Sequence, residues 1–181
     1  EMTAEDTASF FMRYNPPTKK WTRTDPIPSE TGNLQAEVAR VTDDYLVCYM
    51  RRAGDYEPTD KGYLIRSESR DGGRTWSRGE NCGFPNPNSA VAFIRLFNGH
   101  LMLVYNDHMY MRTPLAVSIS TDDDQTYPYK RLIAGGDNTF AYPYAIQTRD
   151  GKIHVIYTTK NRTTIMHAVF DEAATLEWGK E

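Results

Sequence analysis

The sequence has little of what defines several common protein classes. It contains two cysteines, Cys48 and Cys82, among 181 residues, too few for a disulfide framework or a cysteine metal site. No apolar run approaches the roughly 18–20 residues that span a membrane as a helix. The formal net charge of −3 provides no general attraction to nucleic acid or to anionic lipid. We therefore expect no nucleic acid, membrane, metal or cofactor among the partners.

The N-terminus indicates no compartment. Residues 1–6 are acidic and lack the basic and apolar regions of a signal peptide. This composition fits a cytoplasmic protein and equally a protein whose leader has been removed, so the localisation stays open.

Helical periodicity is weak, and only residues 171–180 could form a helical turn. Instead, three segments (34–50, 89–105 and 141–157) share a pattern of two short apolar, β-rich runs joined by a turn. The turns begin at Asp43, Asn98 and Asp150, with spacings of 55 and 52 residues. Asn98-Gly99 and Asp150-Gly151 predict type I′ hairpins, in which both turn residues have positive φ.

A second motif lies between these hairpins. Ser69–Trp76 reads Ser-x-Asp-x-Gly-x-Thr-Trp, and Ser120–Tyr127 keeps the serine, aspartate and threonine, with Asp124 in the glycine position. The aspartate of such a turn can accept backbone N–H groups, and the glycine permits a positive φ. Each motif follows a predicted strand, so one repeat contains four short strands, which is typical of a propeller blade.

The Ser69–Trp76 motif resembles the Asp box of the sialidase-like (neuraminidase-like) BNR-repeat propeller family. Phe84–Ser89, Arg112–Leu115, Tyr142-Pro143 and His167–Glu172 are also similar to that family. The resemblance implies an all-β propeller with about three four-stranded blades, half of a six-bladed ring. We predict one partial domain, residues 1–181, with a half blade at 1–32, blades at 33–84 and 86–138, and a partial blade at 140–181.

Such an arc would expose strand edges and part of its core. Three explanations stay open: a piece of a longer protein, half of a propeller closed by a second copy as a homodimer, or an arc that stacks on another chain.

Blade topology predicts which face carries the chemistry. The starts of the innermost strands, the ends of the second strands and the following loops share one face, and the Asp boxes share the other. The first face gathers arginine, tyrosine, glutamate, histidine and amide side chains, Gln35 among them. There we predict catalytic Tyr142, Tyr144, Glu37 and His108, and substrate-binding Arg51, Arg52, Asn86, Asn88, Asn106, Asp107, Arg112 and Arg162. Adjacent strand residues point to opposite sides, so at most one of Arg51 and Arg52 faces the axis.

Arginine forks bind carboxylates in a bidentate manner, so this face predicts an acidic carbohydrate as the partner. The resemblance implies an exo-glycosidase that hydrolyses a terminal sialic-acid-like residue, with tyrosine as nucleophile. Two alternatives stay open: a uronate lyase of the same propeller type, in which histidine or tyrosine abstracts a proton beside arginine, and a non-catalytic module for glycan binding or assembly. Outside this face, His154 is expected to be a packed or surface residue, and His167 to form a structural bond.

Overall fold

The computed structural model describes residues 6–54 and 57–178, so parts of the first and last predicted blades, and the loop residues 55 and 56, lie outside it. Within these ranges the strands form antiparallel sheets. A two-stranded hairpin contains β1 (Met12–Asn15) and β2 (Lys20–Arg23). The first sheet contains β3 (Asn33–Arg40), β4 (Leu46–Arg52), β5 (Tyr63–Ser69) and β6 (Glu80–Pro85). The second contains β7 (Ala92–Arg95), β8 (Leu101–Asn106), β9 (Leu115–Ser120) and β10 (Tyr129–Ala134). The third contains β11 (Ala141–Gln147), β12 (Ile153–Thr159) and β13 (Thr164–Phe170), and the helix α1 (Glu172–Trp178) follows it. The all-β prediction is confirmed, as is the arc of about three blades.

The sheets stack face to face, and their cores lie between them. Tyr49 of the first sheet packs edge-on against Phe93 of the second, with ring centroids 4.9 Å apart. Val104 of the second sheet shares a cluster with Val155 of the third. Because β8 and β9 have neighbours on both faces, every residue in them is buried, which explains their unbroken apolar runs.

The helix α1 packs against β9 and β10, and its Leu176 joins the core between the second and third sheets. No helix in residues 6–54 or 57–178 is long and apolar enough to cross a membrane.

The predicted type I′ hairpin turns are wrong. Gly99 and Gly151 have φ of 97° and 86°, whereas the residues before them are not among the described residues with positive φ. Leu96 N donates to His100 O (2.8 Å), and Gly99 N donates to Leu96 O (2.9 Å). The loop therefore has three residues, with a type I turn closed by a glycine in the left-handed region. The extra residue removes the need for a positive φ at Asn98.

The first Asp box has the predicted hydrogen bonds. The Asp71 carboxylate accepts the backbone N–H groups of Arg74 (2.8 Å) and Thr75 (2.9 Å), and Oδ2 accepts the Thr75 hydroxyl (2.7 Å). The bonds from the Thr75 backbone and side chain hold the pKa of Asp71 well below its usual range. Asp122 of the second box accepts the equivalent bonds from Thr126.

Asp124, in the glycine position of the second box, connects two sheets. Its φ is 73°, and its side chain has no exposed surface. The carboxylate accepts hydrogen bonds from Arg66 Nε (2.8 Å) and Tyr49 OH (2.9 Å) of the first sheet, and from Tyr127 OH (2.6 Å). A position that seemed a poor match to the motif thus contains a buried, charge-assisted link between blades.

Candidate functional site

One feature repeats at the inner end of each sheet. Gln35, Asn88 and Tyr142 lie at or just before the start of the innermost strands, and their φ values are 52°, 53° and 52°. In β3 and β11 the strand register shifts at this point, as in a β-bulge, and a bulge re-aims the side chain it carries. A non-glycine residue with positive φ is strained by about 1–2 kcal/mol, and such strain is concentrated at functional sites. These three residues, which we term the bulge residues, therefore mark one face of the arc.

Arg51 joins two of the bulge residues. It is buried at the end of β4, and it donates from Nε to Asn88 Oδ1 (2.5 Å) and from Nη1 to Gln35 Oε1 (2.8 Å). Arg52 points elsewhere, since its Nε donates to the backbone oxygen of Asn86 (3.1 Å). Only Arg51 of this pair faces the bulge residues, as strand alternation predicts.

Tyr142, the third bulge residue, lies among arginines. The guanidinium carbons of Arg162 and Arg112 lie 5.4 Å and 5.8 Å from the centroid of its ring. Burial, the largest effect, raises the pKa of Tyr142, but a hydrogen bond with Arg112 and the positive charges of Arg162, Arg112 and Arg51 outweigh it. The net pKa is lowered, so its phenolate forms more readily than that of an ordinary tyrosine.

Local backbone structure positions the two outer arginines. Lys160, Asn161 and Arg162, between β12 and β13, have φ of 48°, 51° and 68°, and the Thr163 hydroxyl donates to Lys160 O (2.7 Å) to close this left-handed turn. Arg112, between β8 and β9, donates from Nη2 to the Asn88 backbone oxygen (2.8 Å). Each of the three sheets thus contributes one arginine, which together with Tyr142 we term the arginine cluster.

Two connected depressions open beside the cluster. One, with a volume of about 390 Å³, is lined by Arg112, Arg162, Thr139, Ala141 and Asn161. A larger one, about 680 Å³, shares Arg112, Thr139 and Asn161 with it and extends to Tyr110 and Lys160. Together they provide room for a sugar and for a second group attached to it.

Several predicted binding residues lie beneath this surface. Asn86 and Asn106 have no exposed surface. Asn86 exchanges hydrogen bonds with the Ser89 backbone (2.7 and 3.1 Å), and Asn106 accepts the Ser89 hydroxyl (2.7 Å) and donates to Phe140 O (3.2 Å). They cannot touch a ligand in this arrangement, and they hold the segment that contains Asn88.

Two other predicted residues, His108 and Asp107, line a third depression of about 380 Å³, which shares Tyr110 with the larger one. His108 Nδ1 accepts the backbone N–H groups of Tyr110 (3.2 Å) and Met111 (3.0 Å), and this ring nitrogen therefore orders its own loop. Asp107 forms an ion pair with Lys130. The structure does not bring His108 or Asp107 to the arginine cluster.

The remaining two candidates differ in environment. Glu37 is half-buried on β3, desolvation raises its pKa, and no residue in the described ranges forms a hydrogen bond or ion pair with its carboxylate. Tyr144 is 60% exposed on the uncovered face of the third sheet. The strand register shifts between Ala141 and Tyr144, so regular strand alternation does not relate Tyr144 to Tyr142.

Sequence reasoning placed Gln35 on this face without a specific role and did not place Thr139 or Asn161 there, whereas the structure puts all three at the site. Asparagine tolerates the left-handed region, a weak signal for Asn161. For Thr139 no local pattern exists, because it comes to lie beside Arg112 and Arg162 only through the stacking of separate sheets.

Comparisons with known proteins agree with this architecture. Residues 2–155 match the family model of the BNR repeat-like domain, whereas no sequence relative is detected among curated proteins. The intramolecular trans-sialidase of Ruminococcus gnavus, in complex with oseltamivir carboxylate, has a TM-score of 0.73 and 17% identity, over 92% of this chain and 38% of that one. The leech intramolecular trans-sialidase has a TM-score of 0.73 and 15% identity, over 98% and 29%. The NanB sialidase of Streptococcus pneumoniae has a TM-score of 0.69 and 16% identity, over 93% and 28%.

The chain thus spans less than half the length of these solved structures. Identities below 20% show a common fold, and the family match covers most of the sequence. The family match over residues 2–155 agrees with the two Asp boxes at blade spacing and with the stacked antiparallel sheets. The chain therefore belongs to the BNR repeat-like domain family and has a sialidase-like propeller fold.

Proposed function

We propose that the protein binds the carboxylate of an acidic sugar at the arginine cluster and cleaves the glycosidic bond of that sugar as a sialidase-like exo-glycosidase. The observation that carries this proposal is that three arginines, one from each sheet, surround the single tyrosine Tyr142.

The arginines have separate roles in this proposal. Arg112 and Arg162 line the open depression, where their guanidinium forks can bind a carboxylate. Arg51 is buried and bonded to Gln35 and Asn88. It supports the bulge residues and adds positive charge beneath the ligand, as its effect on Tyr142 indicates.

Tyr142 is the proposed nucleophile. Its phenolate oxygen would form a bond to the anomeric carbon while the bond to the leaving oxygen breaks, and water would then hydrolyse the tyrosyl intermediate. The leaving oxygen takes a proton from an acid, and we propose Glu37 for this role because desolvation raises its pKa.

The solved relatives support the substrate class. Two of them are described as intramolecular trans-sialidases, and one of these holds oseltamivir carboxylate. The third is a sialidase. At 15–17% identity these proteins show a shared fold and no more. An acidic sugar as the substrate of this chain is therefore our proposal, and the arginine cluster is what supports it.

One feature also favours a second candidate, a uronate lyase. A tyrosine with a lowered pKa beside arginine can abstract the proton α to a uronate carboxyl group, because the arginine stabilises the resulting enolate. The two reactions give different products, a free sugar in the first case and an unsaturated uronate in the second.

The test measures cleavage of a fluorogenic sialoside and, in parallel, the absorbance of unsaturated products from uronate polymers. We expect sialoside hydrolysis, and a loss of kcat of more than about 10³-fold in Tyr142→Phe, with little change in Tyr144→Phe. We expect Arg162→Ala to weaken binding of a sialic-acid analogue about 10- to 100-fold, since a hydrogen bond to a charged group contributes about 1.5–3 kcal/mol.

Matched controls are Tyr14→Phe, in the β1–β2 hairpin, and Arg149→Ala, an exposed residue of the turn face. Full activity in Tyr142→Phe would refute the nucleophile. Unsaturated products would select the lyase. Analogue binding that depends on Arg162, without turnover of either substrate, would identify a binding module, and a wild-type protein that neither binds nor cleaves would refute the whole proposal.

A further inference from the structure

The third sheet contains a histidine pair that the arginine cluster does not use. His154 on β12 is paired with Val169, and His167 on β13 is paired with Ile156, so the two rings are diagonal neighbours on one face. His154 Nδ1 lies 3.0 Å from His167 Nε2, and the rings are nearly parallel, at 18° with centroids 5.1 Å apart. The expected structural bond of His167 is thus made to the other histidine.

This separation suits chelation. Two nitrogens that bind one metal ion at about 2.0–2.1 Å lie about 2.9–3.4 Å apart, for bond angles between roughly 90° and 110°. The observed 3.0 Å lies near the lower end of this range. It corresponds to a bond angle near 90°, the angle that octahedral and square-planar ions prefer. We propose that His154 and His167 form a two-histidine site for a divalent transition-metal ion of the Ni²⁺, Cu²⁺ or Zn²⁺ class, for which imidazole is a preferred ligand.

The strands hold the ligands in place. β12 pairs along most of its length with β11 on one side and with β13 on the other, so the distance between the two backbone positions is fixed. For both lone pairs to point at one ion, each ring must tilt, and rotation about χ2 allows this because such torsions are broad for histidine.

The surroundings are compatible with a cation. Ile146 and Val169, the residues paired with His154, have exposed apolar side chains, and the charge of Lys152, two residues before His154, is held in an ion pair with Asp171 (2.7 Å). The Asp150 carboxylate is close enough to interact with His154: its pKa is lowered mainly by a hydrogen bond from Thr148, with a smaller contribution from His154.

Metal binding at the histidine pair needs no further reactant. In the free pair one imidazole donates its N–H to the other. On binding, that ring moves its proton to its other nitrogen, and the ion takes one lone pair from each neutral ring. No group of three metal-ligating side chains occurs in residues 6–54 and 57–178, so water completes the coordination shell.

The test is a calorimetric titration of the protein with NiCl₂ at pH 7.5. We expect one Ni²⁺ per chain with micromolar affinity. His154→Gln and His167→Gln should each weaken binding about tenfold or more, and the double variant should abolish it. Lowering the pH to 5.5 should weaken binding, because each imidazole must be neutral to ligate the ion.

His100→Gln is the matched control, since His100 is held by Glu172 (2.6 Å) away from this face, and Ni²⁺ binding should not change. Both paired histidines are solvent-accessible, and thermal melting checks that each variant folds. In the unmodified protein, Ni²⁺ should broaden the ring resonances of His154 and His167 before those of His100. Millimolar binding, or binding that survives the double variant, would refute the site, as would broadening at His100 alone.

Discussion

Asp124 provides the sharpest test of how the blades are held together. The motif predicts glycine at this position, and the residue has a φ of 73°. Asp124→Gly therefore removes backbone strain of about 1 kcal/mol and at the same time removes the buried carboxylate. The two effects have opposite signs, so the measured stability decides between them.

The structure indicates that the loss is larger. Without the carboxylate, the phenol groups of Tyr49 and Tyr127 lose their acceptor (2.9 and 2.6 Å), and a buried donor left unpaired costs about 1–3 kcal/mol. Arg66 loses one ion-pair partner but keeps Glu68 (2.9 Å) and some contact with water. We expect Asp124→Gly to lower the free energy of unfolding by about 3 kcal/mol, or Tm by about 6–12 °C.

Urea denaturation followed by tryptophan fluorescence measures this change. Asp123→Gly is the matched control, because the neighbouring Asp123 has a φ of 59° but is exposed. It should raise the free energy of unfolding by up to about 1 kcal/mol, because it removes backbone strain without removing a buried contact. Asp124→Asn, which keeps an acceptor oxygen but not the charge, should fall between the two. If Asp124→Gly is as stable as the unmodified protein, the carboxylate does not link the blades.

Three further predictions concern single contacts. Asp71→Asn should reduce the loss of stability in acid, because the lowered pKa of Asp71 stabilises the fold in full above about pH 4, and this contribution declines as the pH falls from there towards the folded-state pKa. Urea unfolding should therefore separate the two proteins less at pH 3 than at pH 7. Gly62→Ala should destabilise by about 2 kcal/mol or more, since a Cβ would lie 2.2 Å from a backbone oxygen of the β8–β9 loop, whereas Gly83→Ala, with nothing within 4 Å, should unfold as the unmodified protein does. Arg112→Ala should raise the pKa of Tyr142, measured as the phenolate absorbance that Tyr142→Phe removes; an unchanged titration would contradict the assigned contact.

The fold was predictable because its signals are local. The bonds of Asp71 to residues three and four positions later depend only on the motif, so one octapeptide predicts the turn. The hairpins repeat at blade spacing, and each apolar run is a buried strand. The turn type was not predictable from Asn98-Gly99, because a single extra loop residue changes which positions need a positive φ.

The site was predictable only as a face. Topology placed twelve candidate residues at the same end of the sheets, but it could not rank them. Asn86 and Asn106 are buried beneath the surface, and His108 Nδ1 accepts two backbone N–H groups of its own loop. The convergence of Arg112 and Arg162 on Tyr142 depends on how separate sheets stack, which no local pattern encodes.

The two ends of the sheets differ in how they are held. At the Asp-box end, Asp71 and Asp124 are satisfied by several hydrogen bonds each. At the other end, Gln35, Asn88 and Tyr142 have strained backbones, and strain of this kind persists only where surrounding structure over-determines it. Buried contacts such as the hydrogen bond of Arg51 with Asn88 (2.5 Å) provide this constraint. The apolar cores between the sheets fix the strands from which these side chains extend. The bulge residues therefore keep their direction before any ligand arrives, which lowers the cost of ordering the site on binding.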